Sequence, residues 1–473
     1  MLEAELLADY PPEVEVSAAE VAATVAGAAT PTLVVLDDDP TGTQSVADLP
    51  VLTRWEVEDL AWALTQRAPA VYVLTNTRSL DPEAAAERNR EVVGNALAAA
   101  VGAPLAFVSR SDSTLRGHFP LEPAVIAEVL EQQAGIRTDG VVIVPAFPDA
   151  GRITIGGVHY TRGEGGSVIP VAETEFAQDA TFGFASSSLA DYVEEKSGGR
   201  LLAADVIVLD LHLVRGGADG IADALAGATD STPVVVDIVT EHDLRALALG
   251  LAEAERRGKQ LLYRVGPPFV RGRIGQEVHA PLTAEQAYAG TDPAPGGGLV
   301  VVGSHVGLTT RQLQQLVEHH PATVVELNVA RLLEPELGAA ELDRVVAEVT
   351  AALDQSDVVV HTSRLLVKRS DPAESLRIAR TVSSAVVEVV QRTLAAHPPR
   401  FVIAKGGITS SDVAAFGLQI RHGIVRGPML PGIVSLWEPV DGPAWGIPYV
   451  VFAGNVGDDR SLLEVVRILS AAT

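Results

Sequence analysis

Leu33-Val34-Val35-Leu36-Asp37-Asp38-Asp39-Pro40-Thr41-Gly42-Thr43 is an apolar run closed by three carboxylates, a proline and a Thr-Gly-Thr turn. A short β-branched run ended by Pro and Gly reads as a buried strand of an α/β sheet, where ligands sit in the crevice beyond the strand's carboxyl end. Adjacent carboxylates repel one another. Their company therefore points to a Mg2+ ion, a proton acceptor or a polyhydroxylated ligand rather than to stability.

Outward from this stretch, similar runs recur at 71–74, 105–108, 141–144, 206–209 and 234–236. Between them lie Ala/Glu/Arg-rich stretches of helical period such as 82–101 and 243–257. The alternation predicts parallel α/β architecture. Several strands end in polar residues (Thr75 to Arg78, Ser109 to Asp112, Asp210, Asp237), whose tips would share one sheet edge. After the Pro/Gly-rich loop 291–298 a second series begins, at 299–302, 324–327, 358–361, 401–404 and 449–452. The expected organisation is an N-terminal domain over 1–290 and a C-terminal domain over 291–473, each Rossmann-like with a mainly parallel sheet.

A chain of 473 residues exceeds the size at which single cores stop growing, in keeping with two domains. The net charge of −26 disfavours nucleic acid and anionic membranes as partners, so an anionic ligand must meet local positive charge. Only four lysines occur (Lys196, Lys259, Lys368 and Lys405), which leaves anion handling chiefly to arginines and backbone N–H groups. The absence of Cys excludes disulfides, thiolate metal sites and cysteine nucleophiles, and fits a reducing, cytoplasmic setting. The first twenty residues are acidic and lack the basic and apolar regions of a signal peptide. The longest uncharged stretch there, 21–36, is too short to span a bilayer.

Two further clusters carry chemistry. Ser109-Arg110-Ser111-Asp112-Ser113-Thr114-Leu115-Arg116-Gly117-His118 packs two guanidinium groups, an acid and four hydroxyls into ten residues, the makings of an anionic polyol site. The plainer alternative is a polar turn with a helix cap at Ser113 or Thr114. Ala404-Lys405-Gly406-Gly407-Ile408-Thr409-Ser410-Ser411-Asp412-Val413 follows a strand and opens a helix, where free N–H groups favour phosphate. Its plainer reading is a strand-to-helix turn capped by Ser411. Gly303-Ser304-His305 and Phe452-Ala453-Gly454-Asn455-Val456-Gly457 end strands of the same half. Three such tips on one edge suit a nucleotide. Eleven histidines without metal-ligand spacing give no protein metal site, and His319-His320 reads as a solvated helix end. Glu173-Thr174-Glu175-Phe176 could line the first site or cap a helix through Thr174. Asp37-Asp38-Asp39-Pro40-Thr41 also fits the D-x-D-x-T pattern of haloacid dehalogenase-type phosphatases, but no lysine precedes Lys196 and the second half stays unexplained.

D-D-x-T-G at Asp38 to Gly42, D-S-T-L-R-G at Asp112 to Gly117, E-T-E-F-A-x-D at Glu173 to Asp179, G-S with T-x-x-Q at Gly303-Ser304, Thr309 and Gln312, then G-G-x-T and G-N-x-G, occur in this order. Together they resemble the four-carbon acid sugar kinase family. The resemblance implies a first domain for an acid sugar such as threonate, erythronate or 3-oxo-tetronate, a second for ATP with Mg2+, and an active site in the cleft between them. The implied reaction phosphorylates the 4-hydroxyl. By position, Asp38, Asp39, Arg78, Arg110, Ser111, Asp112 and Ser113 would hold the sugar acid, with Asp39, Asp112 and Arg116 catalytic. Asp37 would stand outside the site. Ser304, Gly406, Gly407, Ile408, Thr409 and Gly454 would hold ATP. Two positions depart from the pattern: Ile408 stands where an acid is common, and the lysine that often precedes G-N-F-G is replaced. Some thirty N-terminal residues lie outside the resemblance. The alternatives are a phosphatase and a non-catalytic acid-sugar or nucleotide sensor. A homodimer is one compatible assembly, and nothing in the sequence selects an oligomeric state.

Overall fold

A computed structural model of the protein describes residues 1–26, 30–288, 293–334, 336–363 and 372–471. The border expected between 290 and 291 lies outside the described residues, as does Lys368. In chain order the strands are β1 (Thr32–Asp37), β2 (Leu49–Leu52), β3 (Ala70–Leu74), β4 (Leu105–Arg110), β5 (Gly140–Val144), β6 (Arg152–Ile155), β7 (Val158–Arg162), β8 (Val168–Pro170) and β9 (Ile207–Leu209). They continue with β10 (Thr232–Val236), β11 (Leu261–Val265), β12 (Leu299–Val302), β13 (Ala322–Leu327), β14 (Asp357–Thr362), β15 (Val402–Lys405), β16 (His422–Leu430), β17 (Ile433–Pro439) and β18 (Tyr449–Phe452).

The chain divides into two compact units: Met1–Val46 with Trp55–Val278, and Ala47–Arg54 with His279–Thr473. In the first, strands run β9-β10-β5-β11-β4-β1-β3, all parallel. The inner strands β1, β3, β5 and β10 are buried on both faces and read as apolar runs, whereas Val208 of the edge strand β9 is exposed. The chain moves to opposite sides of β1 to form β3 and β4. That is a topological switch point, and it puts the tips of all three together. An antiparallel meander, β6-β7-β8, forms a second small sheet. Its core includes Ile153, Ile155 and Tyr160, and Leu6, Leu7 and Tyr10 of the N-terminal segment pack on it. Glu3 meets Arg162 with both carboxylate oxygens at 2.7 Å, which ties that segment down.

In the second unit, β13-β14-β12-β15-β18 are parallel, and β17, β16 and β2 extend the sheet antiparallel. The helices expected over 82–101 and 243–257 occupy Pro82–Ala100 and Glu241–Arg256. No helix among the described residues is long and apolar enough to cross a membrane.

Candidate active site

Register brings the first cluster together, because Asp37 of β1 pairs with Leu74 of β3 and with Arg110 of β4. The residues that follow must crowd one edge. Asp39 caps the short 3-10 turn Pro40–Ser45, its Oδ1 accepting from the Thr41 amide at 3.0 Å. Gly42 cannot carry a side chain, since a Cβ there would collide with the Asp37 carboxylate and the Arg110 guanidinium.

Those two form a buried ion pair, Asp37 and Arg110 each 1% exposed. Arg110 also donates to the carbonyls of Asp39 and Ser111, so all three of its nitrogens face groups of the protein. Asp37 is the counter-ion of this brace rather than a spare acid. Arg78 grips Asp38 bidentately and lies 3.6 Å from Asp39. Arg116 donates to Asp112 at 2.6 Å, approaches Asp179 at 3.9 Å and lies 5.3 Å over the Phe176 ring. The result is a polar floor of alternating acids and guanidiniums.

Charge state follows from these partners. Burial works to raise the Asp112 carboxyl, but Arg78, Arg116 and the Thr114 hydroxyl overcome it and hold the group at about 2. Asp39 is likewise lowered against its own burial by Arg78, Arg110 and Thr41. Both acids are ionised at neutral pH. Ser111 and Ser113 are buried on the same strand tip. The alternative of a helix cap at Ser113 or Thr114 is not what forms: Thr114 bonds Asp112, and the next helix begins only at Leu121.

Several participants were not foreseen. Arg264 of β11, 5% exposed, donates to Ser109 at 2.8 Å and Glu122 at 2.6 Å. Its free end lies against Gly117, where a Cβ would sit 2.8 Å from Nη2 and 3.0 Å from Asp38 Oδ2. With φ at +127°, Gly117 lets the chain pass between those charges. His159 is pushed down to about 4 by burial, and donates from Nε2 to the Ser113 carbonyl at 2.8 Å while Nδ1 accepts from Thr154. The Arg152 guanidinium lies 5.6 Å from the centre of the same Phe176 ring. Phe176 and Asp179 thus draw the E-T-E-F-A-x-D segment toward Arg116, whereas Glu173 and Glu175 are exposed. Thr174 makes no cap and donates instead to the Val171 carbonyl.

The second cluster forms in the same way. Val302 pairs with Lys405 and Lys405 with Phe452, so the tips after β12, β15 and β18 are neighbours. The Gly303 and Ser304 amides donate to the Lys405 carbonyl at 3.2 and 3.3 Å. Gly406, at φ +129°, opens the helix Gly407–Asp412, so Ser411 lies inside that helix and is not its cap. A Cβ on Gly454 would stand 2.6 Å from Ser304 Oγ, and one on Gly406 would stand 3.2 Å from Thr409 Oγ1. Thr309 ties Ser304 to the Gly454 carbonyl, at 3.2 and 2.8 Å. Gln312 holds the Val456 and Asp458 carbonyls. Ser304, Gly406, Gly407, Thr409 and Gly454 therefore converge, while the Ile408 side chain is 60% exposed. His320 is no solvated end: it meets Asp357 at 2.7 Å.

Comparison with known proteins agrees with this division. A model described as a sugar-binding N-terminal domain matches residues 33–273, and one described as a nucleotide-binding C-terminal domain matches 299–462. A D-erythronate kinase of Heliobacterium modesticaldum is 29% identical over 302 residues, 62% of this chain and 60% of that protein. A D-threonate kinase of Cupriavidus necator is 29% identical over 390 residues, 79% of this chain and 84% of that protein. Among solved structures, a Salmonella typhimurium protein superposes with a TM-score of 0.66 at 18% identity, over 91% of this chain and 98% of that one. A Haemophilus influenzae protein gives 0.62 at 18%, over 92% and 99%. These two likenesses concern the fold.

Proposed function

From the chain's membership of the four-carbon acid sugar kinase family, we propose that it transfers the terminal phosphoryl group of ATP to the 4-hydroxyl of a four-carbon acid sugar such as threonate, erythronate or 3-oxo-tetronate. The observation that carries this reading is the pairing of two chemistries on one chain: guanidiniums and acids at the tips of β1, β3 and β4, and glycine tips after β12, β15 and β18.

In this reading Arg78 and Arg116, which keep part of their surface open, receive the substrate carboxylate, and Ser111 and Ser113 meet its hydroxyls. Arg110 is a brace that aims Asp38 and Asp39 rather than a direct contact. Asp39, ionised and 20% exposed, accepts the hydroxyl proton, with Asp112 as the other acid in reach of the guanidiniums. A weakly basic carboxylate suffices. Phosphoryl transfer passes through a loose transition state, so catalysis is mostly positioning and charge neutralisation.

The glycine tips fit a nucleotide in one specific respect: Gly454 and Gly406 leave open the space their side chains would fill beside Ser304 and Thr409. ATP supplies the phosphoryl group. No group of three or more His, Cys, Asp or Glu side chains able to hold a metal occurs among the described residues. Mg2+ would arrive on the nucleotide's phosphates. The phosphatase reading would need Asp37 as a nucleophile, and that carboxylate is buried beneath Gly42 and held by Arg110.

A coupled ADP-release assay with Mg2+ across a panel of tetronates and oxo-tetronates tests the proposal. Release dependent on one acid sugar is expected. Silence across the panel, with ATP shown to bind, would overturn it.

A further inference from the structure

Lys405 ends β15 and is 0% exposed. Its Nζ donates to the Ala453 carbonyl at 2.6 Å and stands 3.8 Å from the centre of the Phe452 ring. It makes no ion pair among the described residues. The titratable groups on the surrounding elements are engaged elsewhere. His305 after β12 meets Thr362, and His361 on β14 meets the Thr362 carbonyl. Asp412 in the helix after β15 meets Ser383, and Tyr449 on β18 donates to the Ser410 carbonyl. Asp458, beyond the β18 tip, is taken by Ser461 and the Arg460 amide. Burying an ammonium without a counter-ion is expensive, and its least costly remedy is to give up the proton. Burial alone pushes this amine down to about 7.

The same residue stands at the junction of the three tips. Its carbonyl accepts from Gly303 and Ser304, Gly406 follows it directly, and its amine holds the carbonyl just before Gly454. We propose that nucleotide binding at these tips is coupled to proton uptake by Lys405, the polyphosphate supplying the counter-charge that the buried amine lacks. This rests on the assignment of the second unit to nucleotide. Lys405 acts here as a positioning residue: once charged, it donates more strongly to Ala453 and holds the Gly454 tip in place. The balance is one proton taken from solvent onto Nζ, with no bond to the nucleotide.

The sign follows from linkage. A group whose proton affinity rises on binding makes that binding weaker as pH climbs above its free value. Titration calorimetry of the full chain with ADP, in buffers of different ionisation enthalpy, reads the uptake directly. For an amine that titrates near 7, about half a proton is expected at pH 7 and close to one at pH 8. ADP affinity should fall by up to about tenfold per pH unit above 7. Lys405→Arg carries a permanent charge, so it should bind ADP without buffer-dependent enthalpy and with a flattened pH profile. Lys405→Met should bind more weakly and also without uptake. Uptake that persists in Lys405→Arg, or wild-type binding that is independent of buffer and pH, would overturn the coupling. ADP that fails to bind at any pH would overturn the nucleotide assignment itself.

Discussion

Arg78 meets Asp38 with both arms of its fork, Nη2 to Oδ1 at 2.7 Å and Nε to Oδ2 at 3.1 Å, and Asp38 is 1% exposed. A bidentate pair fixes angle as well as distance. Arg78→Ala would leave the buried Asp38 carboxylate only the 3.5 Å approach of Arg110, and a loss of about 3 kcal/mol in unfolding stability is expected by urea titration. Arg78→Lys keeps the charge without the fork. It should recover part of the stability and still show a raised KM for the acid sugar.

Asp39→Asn retains the cap on Thr41 in shape but removes the negative charge. Turnover should fall by about a hundredfold or more while ADP binding stays unchanged. A near-normal rate would remove Asp39 from the chemistry, and the same substitution at Asp112 would then identify the acceptor.

Arg116→Ala should raise the KM for the acid sugar far more than that for ATP. It also has a stability signature. The Asp112 carboxyl, held at about 2 in the fold, lies below its unfolded value. Its contribution to stability is therefore full above about pH 4 and is lost as pH falls toward 2. Without Arg116 that carboxyl rises, so acid unfolding should begin at higher pH, as followed by circular dichroism.

Gly454→Ala would place a Cβ 2.6 Å from Ser304 Oγ. Either Ser304 turns away from Thr309 or the tip shifts. ADP affinity should drop by about tenfold or more, and acid-sugar binding to the first unit should be unaffected, both measured by calorimetry.

The parallel strands were legible because residues such as Val34, Val71 and Val300 are buried on both faces and leave unbroken apolar runs. β11 escaped notice because Arg264 interrupts it, and that charge is tolerated only through Glu122, more than a hundred residues away. β16 was hidden by its Gly, Arg and Pro residues, and β2 by its brevity and a proline. In the site, strand-tip residues such as Asp38 and Arg78 could be located from register alone. Arg152, His159 and Arg264 could not, since each joins through tertiary contact. The composition of the Lys405 loop was visible, but the burial that lowers its amine was not.

Strand β2 has a further consequence, which concerns synthesis. Residues 47–54 leave the ribosome early, inside the stretch that builds the first unit, yet their antiparallel partner β16 begins only at His422. At about 5 to 20 residues per second, the segment waits roughly 20 to 70 seconds for that partner. During the delay Leu49, Val51 and Leu52 are apolar groups without their final cover. A gene fragment beginning at residue 279 would inherit the opposite defect, a sheet whose outermost antiparallel strand has lost its neighbour. Neither unit is one continuous stretch of the chain, so a fragment ending at residue 278 carries eight residues of the second unit and a fragment beginning at 279 lacks them.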